Sequence, residues 1–327
     1  MTSLRRPRPS TLAVVAGLLT IYVVWGSTYL GIAVMIETMP PLLAAGVRFG
    51  SAGLIMLAVL AARARLTGAR LEAPTRAEWG AALIVGTLLL LGGNGGVVLA
   101  EGLIPSGIAA VLLATTPIWL SVFDSIGTGR RPSGLVIGGL LAGLIGVAVL
   151  LVPVEGIGHL DPIGVALCLG AEISWALGSL YEARRGATMR GGAFGSGMTM
   201  IAGGAMLLIA GTVLGEAGRT DLASISTRSW IAFAYLVIFG SLVAFTTYTW
   251  LLANVPISTV GTYAYVNPIV AVALGSLILA EPITPRTLLA TVIIIGAVFA
   301  MVSGRPREAE GAGPAPEAAP PERRGAT

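Results

Sequence analysis

The chain has 327 residues, 55% of them hydrophobic and only 11% charged, with a formal net charge of +4 and a strongly positive mean hydropathy. This composition excludes a soluble globular domain and points to a polytopic membrane protein. The lone Cys168 and lone His159 exclude a disulfide framework and a Cys/His metal cluster, so no metal or cofactor is expected.

A helix needs about 20 mostly apolar residues to cross the hydrocarbon core, and ten segments of the sequence meet that requirement. They are Leu12–Met35, Leu42–Ala62, Glu78–Leu99, Pro105–Phe123, Gly134–Val152, Pro162–Tyr181, Ala193–Gly215, Ser229–Leu252, Ile257–Ala280 and Pro285–Ser303. Their apolar runs are continuous and rich in Ala, Leu and Gly, unlike the alternating strands of a barrel, so the fold class is all-α. Arg5, Arg6 and Arg8 precede the first segment as in a secretory signal. The apolar stretch runs past the usual signal length and lacks a small-residue cleavage site, so it is expected to stay as a helix.

All 20 basic residues are arginine. With the N-terminus inside, 16 of them fall on one side and 3 (Arg219, Arg228 and Arg286) on the other, with Arg48 inside the second segment. This asymmetry places both termini in the cytoplasm. It also accounts for the basic pI without a nucleic-acid partner. Residues 1–10 form a short cytoplasmic segment, and 304–327, made of Arg, Glu and small residues or Pro, read as a disordered cytoplasmic tail.

Polar residues inside the apolar segments are the candidate site residues. In the first segment Tyr22, Trp25 and Tyr29 share one helical face. Such an aromatic wall suits ligands with apolar or cationic parts, and Trp25 lies too deep for an interfacial belt. Arg48 lies about 9 Å into the second segment from its outer end. It can bind a substrate carboxylate, snorkel outward, or pair with Glu37 or Glu101.

The third segment holds "GGNGG", 92–96, which either packs tightly or unwinds so that Asn94 and bare backbone meet substrate. With no strand before it and no lysine after, it is not a phosphate loop. The fourth carries "PSGIAAVLLATTP", 105–117, and the ninth "PISTVGTYAYVNP", 256–268. Pro105 and Pro256 suit first turns, whereas Pro117 and Pro268 are expected inside their helices, orphaning the carbonyls of Leu113 and Ala264. They are read either as cavity-lining pivots or as kinks packed on a neighbour.

The sixth segment contains "LCLGAEISWALGSLYEARR", with Glu172 about 10 residues, roughly 15 Å, from either end. A carboxylate at that depth is costly and by default marks a functional site. Trp175 and Ser179 continue its face. Glu172 is expected to face a central cavity and bind a proton or a cationic substrate group; the alternative is a protonated carboxyl bonded to a neighbouring helix. In the ninth segment Tyr263 and Asn267 are one turn apart with Tyr265 on another face, and at least one tyrosine is expected along the path.

The chain repeats itself. Pro105 and Pro117 match Pro256 and Pro268 at an offset of 151, as Trp79 matches Trp230, and Trp25 with its following Gly/Ser matches Trp175 at 150. Two halves of five helices follow, 11–153 and 154–303, and an odd number gives them opposite orientations in the membrane. Such halves can exchange conformations, so that a midplane site opens to either side in turn.

The stretches "WGSTYLG" (25–31), "ETMPPLLAAGVRF" (37–49), "GNGGVVLAE" (93–101), "PSGIAAVLLATTP" and "YAYVNPIVAVALG" (263–275), followed by Glu281, resemble the EamA-type exporters of the drug/metabolite transporter superfamily. The resemblance runs in order through both halves. It implies a ten-helix protein of the inner membrane, both termini inside, that exports amino acids, related metabolites or drugs. Glu172 departs from the family pattern, which has a small or apolar residue there.

The expected function is therefore secondary transport of a small-molecule substrate across the lipid bilayer, with protons as a candidate co-ion. Two alternatives stand beside it. A membrane-embedded enzyme acting on a lipid or peptide has little support, because Asp124, Asp161 and Asp221 lie at helix ends or in loops and no H-E-x-x-H occurs. A facilitative channel would need charged rings or filter loops, which the sequence lacks. No nucleotide-binding motif is present, so the driving force is an ion or substrate gradient.

Overall fold

The computed structural model describes residues 9–101, 103–104, 109, 112–129, 131–151, 161–184, 192–279 and 284–303. Pro105, Glu281, His159 and the expected tail lie outside them. All regular structure among the described residues is helical. The longer helices are α1 (Thr11–Ile36), α2 (Pro41–Thr67), α3 (Arg76–Ala100), α4 (Thr116–Thr128), α5 (Gly134–Leu151), α6 (Pro162–Arg184), α7 (Ala193–Val213), α8 (Thr227–Asn254), α9 (Tyr263–Leu279) and α10 (Pro285–Ser303).

Local chemistry sets the ends. Ser10 caps α1 by accepting from the Ala13 amide. Thr75 and Glu78 form a reciprocal capping box at α3, and Ser226 accepts from the Ser229 amide at α8, with 151 positions between the two caps. Gly68 and Gly129 stop α2 and α4 in the left-handed region, at φ 69° and 68°, where a side chain would be strained.

Among the described residues, α1, α2, α3, α6, α7, α8 and α10 are long and apolar enough to span a bilayer, and α5 is a shorter apolar helix. The expected fourth and ninth spans are not continuous. A turn at Ala114–Thr115 precedes α4, so Pro117 lies in the first turn of that helix instead of kinking its interior. The chain restarts where the missing N–H costs nothing. In the other half a single turn, Ile257–Val260, breaks at Gly261–Thr262 before α9, and Pro268 does lie inside α9 as expected.

The two halves are interleaved. Each half's first helix packs on the third and fourth of the other: α1 on α8 and α9, α6 on α3 and α4. The second and fifth helices pair with their own counterparts, α2 with α7 and α5 with α10. Lipid gives helices no hydrophobic reason to associate, so close contact depends on small residues. A Cβ on Gly53 would fall 2.6 Å from the Gly197 carbonyl oxygen, and one on Gly204 would fall 2.6 Å from the Gly50 nitrogen. Gly86 in α3 meets Gly203 in the same way. Large apolar side chains such as Val213, Leu277 and Phe299 point outward, as a lipid-facing surface requires.

The seam is tested by a pair of substitutions read as thermal unfolding in detergent. Gly204→Ala should destabilise by about 1–3 kcal/mol through overpacking against backbone. Gly50→Ala, whose Cβ meets nothing within 4 Å, should be neutral or gain up to about 1 kcal/mol of helix propensity. Equal effects would contradict this packing.

Candidate functional site

Where the halves meet, the helices leave a cavity lined mostly by apolar and aromatic side chains with a few convergent polar groups, the general make-up of a small-molecule site. Its wall comes from α1, α2, α3, Leu113 just before the turn and α4 itself in the first half, and from α6, α8 and α9 in the second.

Two residues able to carry opposite charges line it, and no ion pair joins them. Arg48 is 3% exposed. Its Nε donates to Ser241 Oγ at 2.9 Å, and its guanidinium carbon sits 4.5 Å from the Phe49 ring centroid. Gly240 makes room for Nη2, since a Cβ there would approach it to 2.8 Å. Neither outward snorkelling nor a carboxylate partner accounts for Arg48 among the described residues; Glu37 instead lies 3.8 Å from Arg228 at the surface. The side chain of Glu101 is outside the described residues.

Glu172 is 4% exposed and accepts from Thr116 Oγ1. That hydroxyl also lies 2.6 Å from the Leu113 carbonyl, the group that Pro117 leaves without a backbone donor. One hydroxyl proton serves two acceptors. A protonated Glu172 can donate to Thr116 and release the hydroxyl to Leu113, whereas a carboxylate draws it away. Thr116 thus touches both the cavity carboxyl and the carbonyl at the break before α4.

Asn94 adds a buried Oδ1 with no hydrogen-bond partner. Turned with its nitrogen inward, the Asn267 amide donates to the carbonyls of Tyr22 and Tyr263 at 3.2 and 3.0 Å. Aromatic rings form the floor. The Trp25 ring centroid lies 5.7 Å from Trp175, 4.9 Å from Tyr248 and 5.0 Å from Tyr263. Tyr248 Oη accepts from Trp175 Nε1 at 3.0 Å and meets Ser179 Oγ at 2.5 Å. Beneath them Tyr22 bonds Thr262, and Ile21, Leu251 and Val255 close the space toward the Thr11 end of α1.

The structure thus brings Trp25, Arg48, Asn94, Glu172, Trp175, Tyr263 and Asn267 to one cavity. Tyr22 and Ser179 are not among the residues that line it: Tyr22 is bonded to Thr262, and Ser179 to Tyr248 behind the Trp25 and Trp175 rings. Tyr265 turns the other way: its hydroxyl donates to the Leu140 carbonyl at 3.0 Å and its ring rests on Gly143, which removes it from the cavity wall. Tyr29 lies on α1, but its side chain is outside the described residues. Sequence reasoning passed over Thr116, Ser241 and Tyr248. The signal for the last two was present in the polar residues of "GSLVAFTTYTW", 240–250, within an apolar span.

Comparison with known proteins agrees with this architecture. The EamA-like transporter family model matches residues 12–152 and again 162–303. The chain is 40% identical over 291 residues to the uncharacterized inner membrane transporter YedA of Escherichia coli (strain K12), covering 88% of this chain and 90% of that protein. It is 30% identical over 197 residues to the threonine/homoserine exporter RhtA of the same strain, covering 59% of this chain and 61% of that one. A solved crystal structure aligns with a TM-score of 0.73 at 19% identity, over 90% of this chain and 97% of the other, which is a likeness of fold. With the family model matching twice and the two copies together spanning most of the sequence, the chain belongs to the EamA-like transporter family.

Proposed function

We propose that the protein is a secondary transporter of the bacterial-type inner membrane that exports small zwitterions, amino acids and related metabolites foremost, by alternating access to the central cavity. The observation that carries this reading is the placement of Arg48 and Glu172 in one cavity with no ion pair between them. Buried charges without a counter-charge are costly. A substrate with a carboxylate and an ammonium supplies both partners at once. The planar guanidinium suits a carboxylate through paired N–H donors, while Glu172 and the unpartnered Asn94 Oδ1 accept from an ammonium. Trp25, Trp175 and Phe49 then face the apolar remainder.

The interleaved halves support alternation, with 11–153 and 154–303 as inverted repeats and Pro117, just after the break before α4, and Pro268, inside α9, as pivots. The arginine asymmetry supports both termini inside. A relative named as a threonine/homoserine exporter supports amino acids as cargo.

Proteoliposomes loaded with amino acids should take up labelled amino acid faster than empty ones, because a carrier is trans-stimulated and a pore is not. In Arg48→Gln the apparent affinity for an amino acid should fall roughly 10- to 100-fold, since a charge-assisted hydrogen bond contributes about 1.5–3 kcal/mol. The decarboxylated amine should bind as well as before or better. Equal losses for both would remove Arg48 from the site. Glu172→Gln should slow exchange and flatten its pH profile; a wild-type rate with an unchanged profile would refute the role given to Glu172.

A further inference from the structure

α3 and α8 are not α-helical throughout. Residues Thr87–Gly95 and Leu236–Phe245 pair in the π manner, nine and ten residues long, beginning 149 and ending 150 positions apart. π-helix is rare, is mostly limited to single turns and clusters at functional sites. Here it occurs at matching places in the two halves, and both segments line the cavity: Gly93 and Asn94 from the first, Gly240 and Phe245 from the second.

Each segment also holds one of the charged walls. In the first, Ser174 of α6 donates to the Leu88 carbonyl at 2.8 Å, and Gly92 and Gly93 leave space for Ser174 and Trp175; a Cβ on Gly93 would come within 2.7 Å of the Trp175 ring. α6 is the helix that carries Glu172. In the second, Ser241 accepts from Arg48, Gly240 receives its Nη2, and the Gly240 carbonyl accepts from Trp25 Nε1 at 3.4 Å.

We propose that these two π segments are the paired hinges of the transport cycle, and that Ser174 and Ser241 couple them to the Glu172 and Arg48 walls. The proposal rests on the transport reading above. Each i→i+5 hydrogen-bonded ring encloses one more residue than an i→i+4 ring. Converting one such step to α pairing turns everything beyond it by about 100°, one residue of an α-helix. Beyond the first segment, Gly96 then takes the place now held by Val97; at the end of the second, Ala244 replaces Phe245. Conversion of the second segment also carries Ser241 away from Arg48. A substrate carboxylate bound to Arg48 replaces that lost bond, so binding lowers the cost of conversion. That is the differential affinity by which a ligand shifts an equilibrium.

The test is a thiol-accessibility scan in a Cys168→Ser background, using a small water-soluble methanethiosulfonate, with the same proteoliposomes assayed for counterflow of an equimolar mixture of L-amino acids. Without amino acids, Val97→Cys and Phe245→Cys should react and Gly96→Cys and Ala244→Cys should not. During exchange, reactivity should appear at Gly96→Cys or Ala244→Cys. An identical pattern in both conditions, with counterflow intact, would overturn the hinge proposal and leave the transport reading standing. Absent counterflow in the wild type would overturn the reading and the hinges with it. As a second variant, deletion of Leu91 removes one residue from the first π segment and should lock it in α pairing. Exchange should fall at least tenfold while the mixture still raises the unfolding temperature; unchanged exchange would overturn the proposal.

Discussion

Backbone comes close to backbone where α2 crosses α7, because Gly46, Gly53, Gly197 and Gly204 carry no side chains there and leave room for Leu57, Ile201 and Leu208 beside them. In lipid this close approach replaces the hydrophobic drive that water would supply. The consequences reach the site. α2 and α7 are counterparts in the two halves, so their contact sets the halves face to face, and Arg48 projects from α2 into the space that remains. A bulkier seam would separate α2 from α8, and with it Arg48 from Ser241.

The cavity then holds groups that the bilayer would otherwise expel. A guanidinium and a carboxyl persist at membrane depth because each keeps one hydrogen bond to a hydroxyl, Ser241 or Thr116, and because both face a space that water or substrate can enter. One hydrogen bond apiece is less than either group can make. The donors and acceptors left over are those that the proposed zwitterionic substrate would engage. Around them, four rings packed near 5–6 Å make a floor that supports an apolar side chain without supplying further charge.

Much of this was legible in the sequence, for one physical reason: a polar residue in a membrane helix is too costly to be incidental. Glu172, Arg48, Asn94 and Asn267 stood out on that ground; Trp25 followed from its depth on an aromatic helical face, and Trp175 from lying one turn beyond Glu172. The prolines were legible only in part. A missing N–H marks a defect, but it does not say whether the helix continues through it, as at Pro268, or restarts before it, as at Pro117. Tyr263 and Tyr265 are two residues apart and equally apolar in context, so only the packing of α5 decides that one faces the cavity and the other Leu140. The π segments left no trace in hydrophobic periodicity, because in helices wetted by lipid the apolar pattern is nearly uniform around the axis.

The most direct measurement is a structure of the protein with an amino acid bound. The carboxylate should lie at hydrogen-bond distance, about 2.7–3.2 Å, from the guanidinium of Arg48, with the ammonium at Glu172 and the side chain against Trp25 or Phe49. An amino acid bound elsewhere, or one in this cavity that leaves Arg48 bonded to Ser241 alone, would contradict the assignment of these two residues as the poles of a single substrate site.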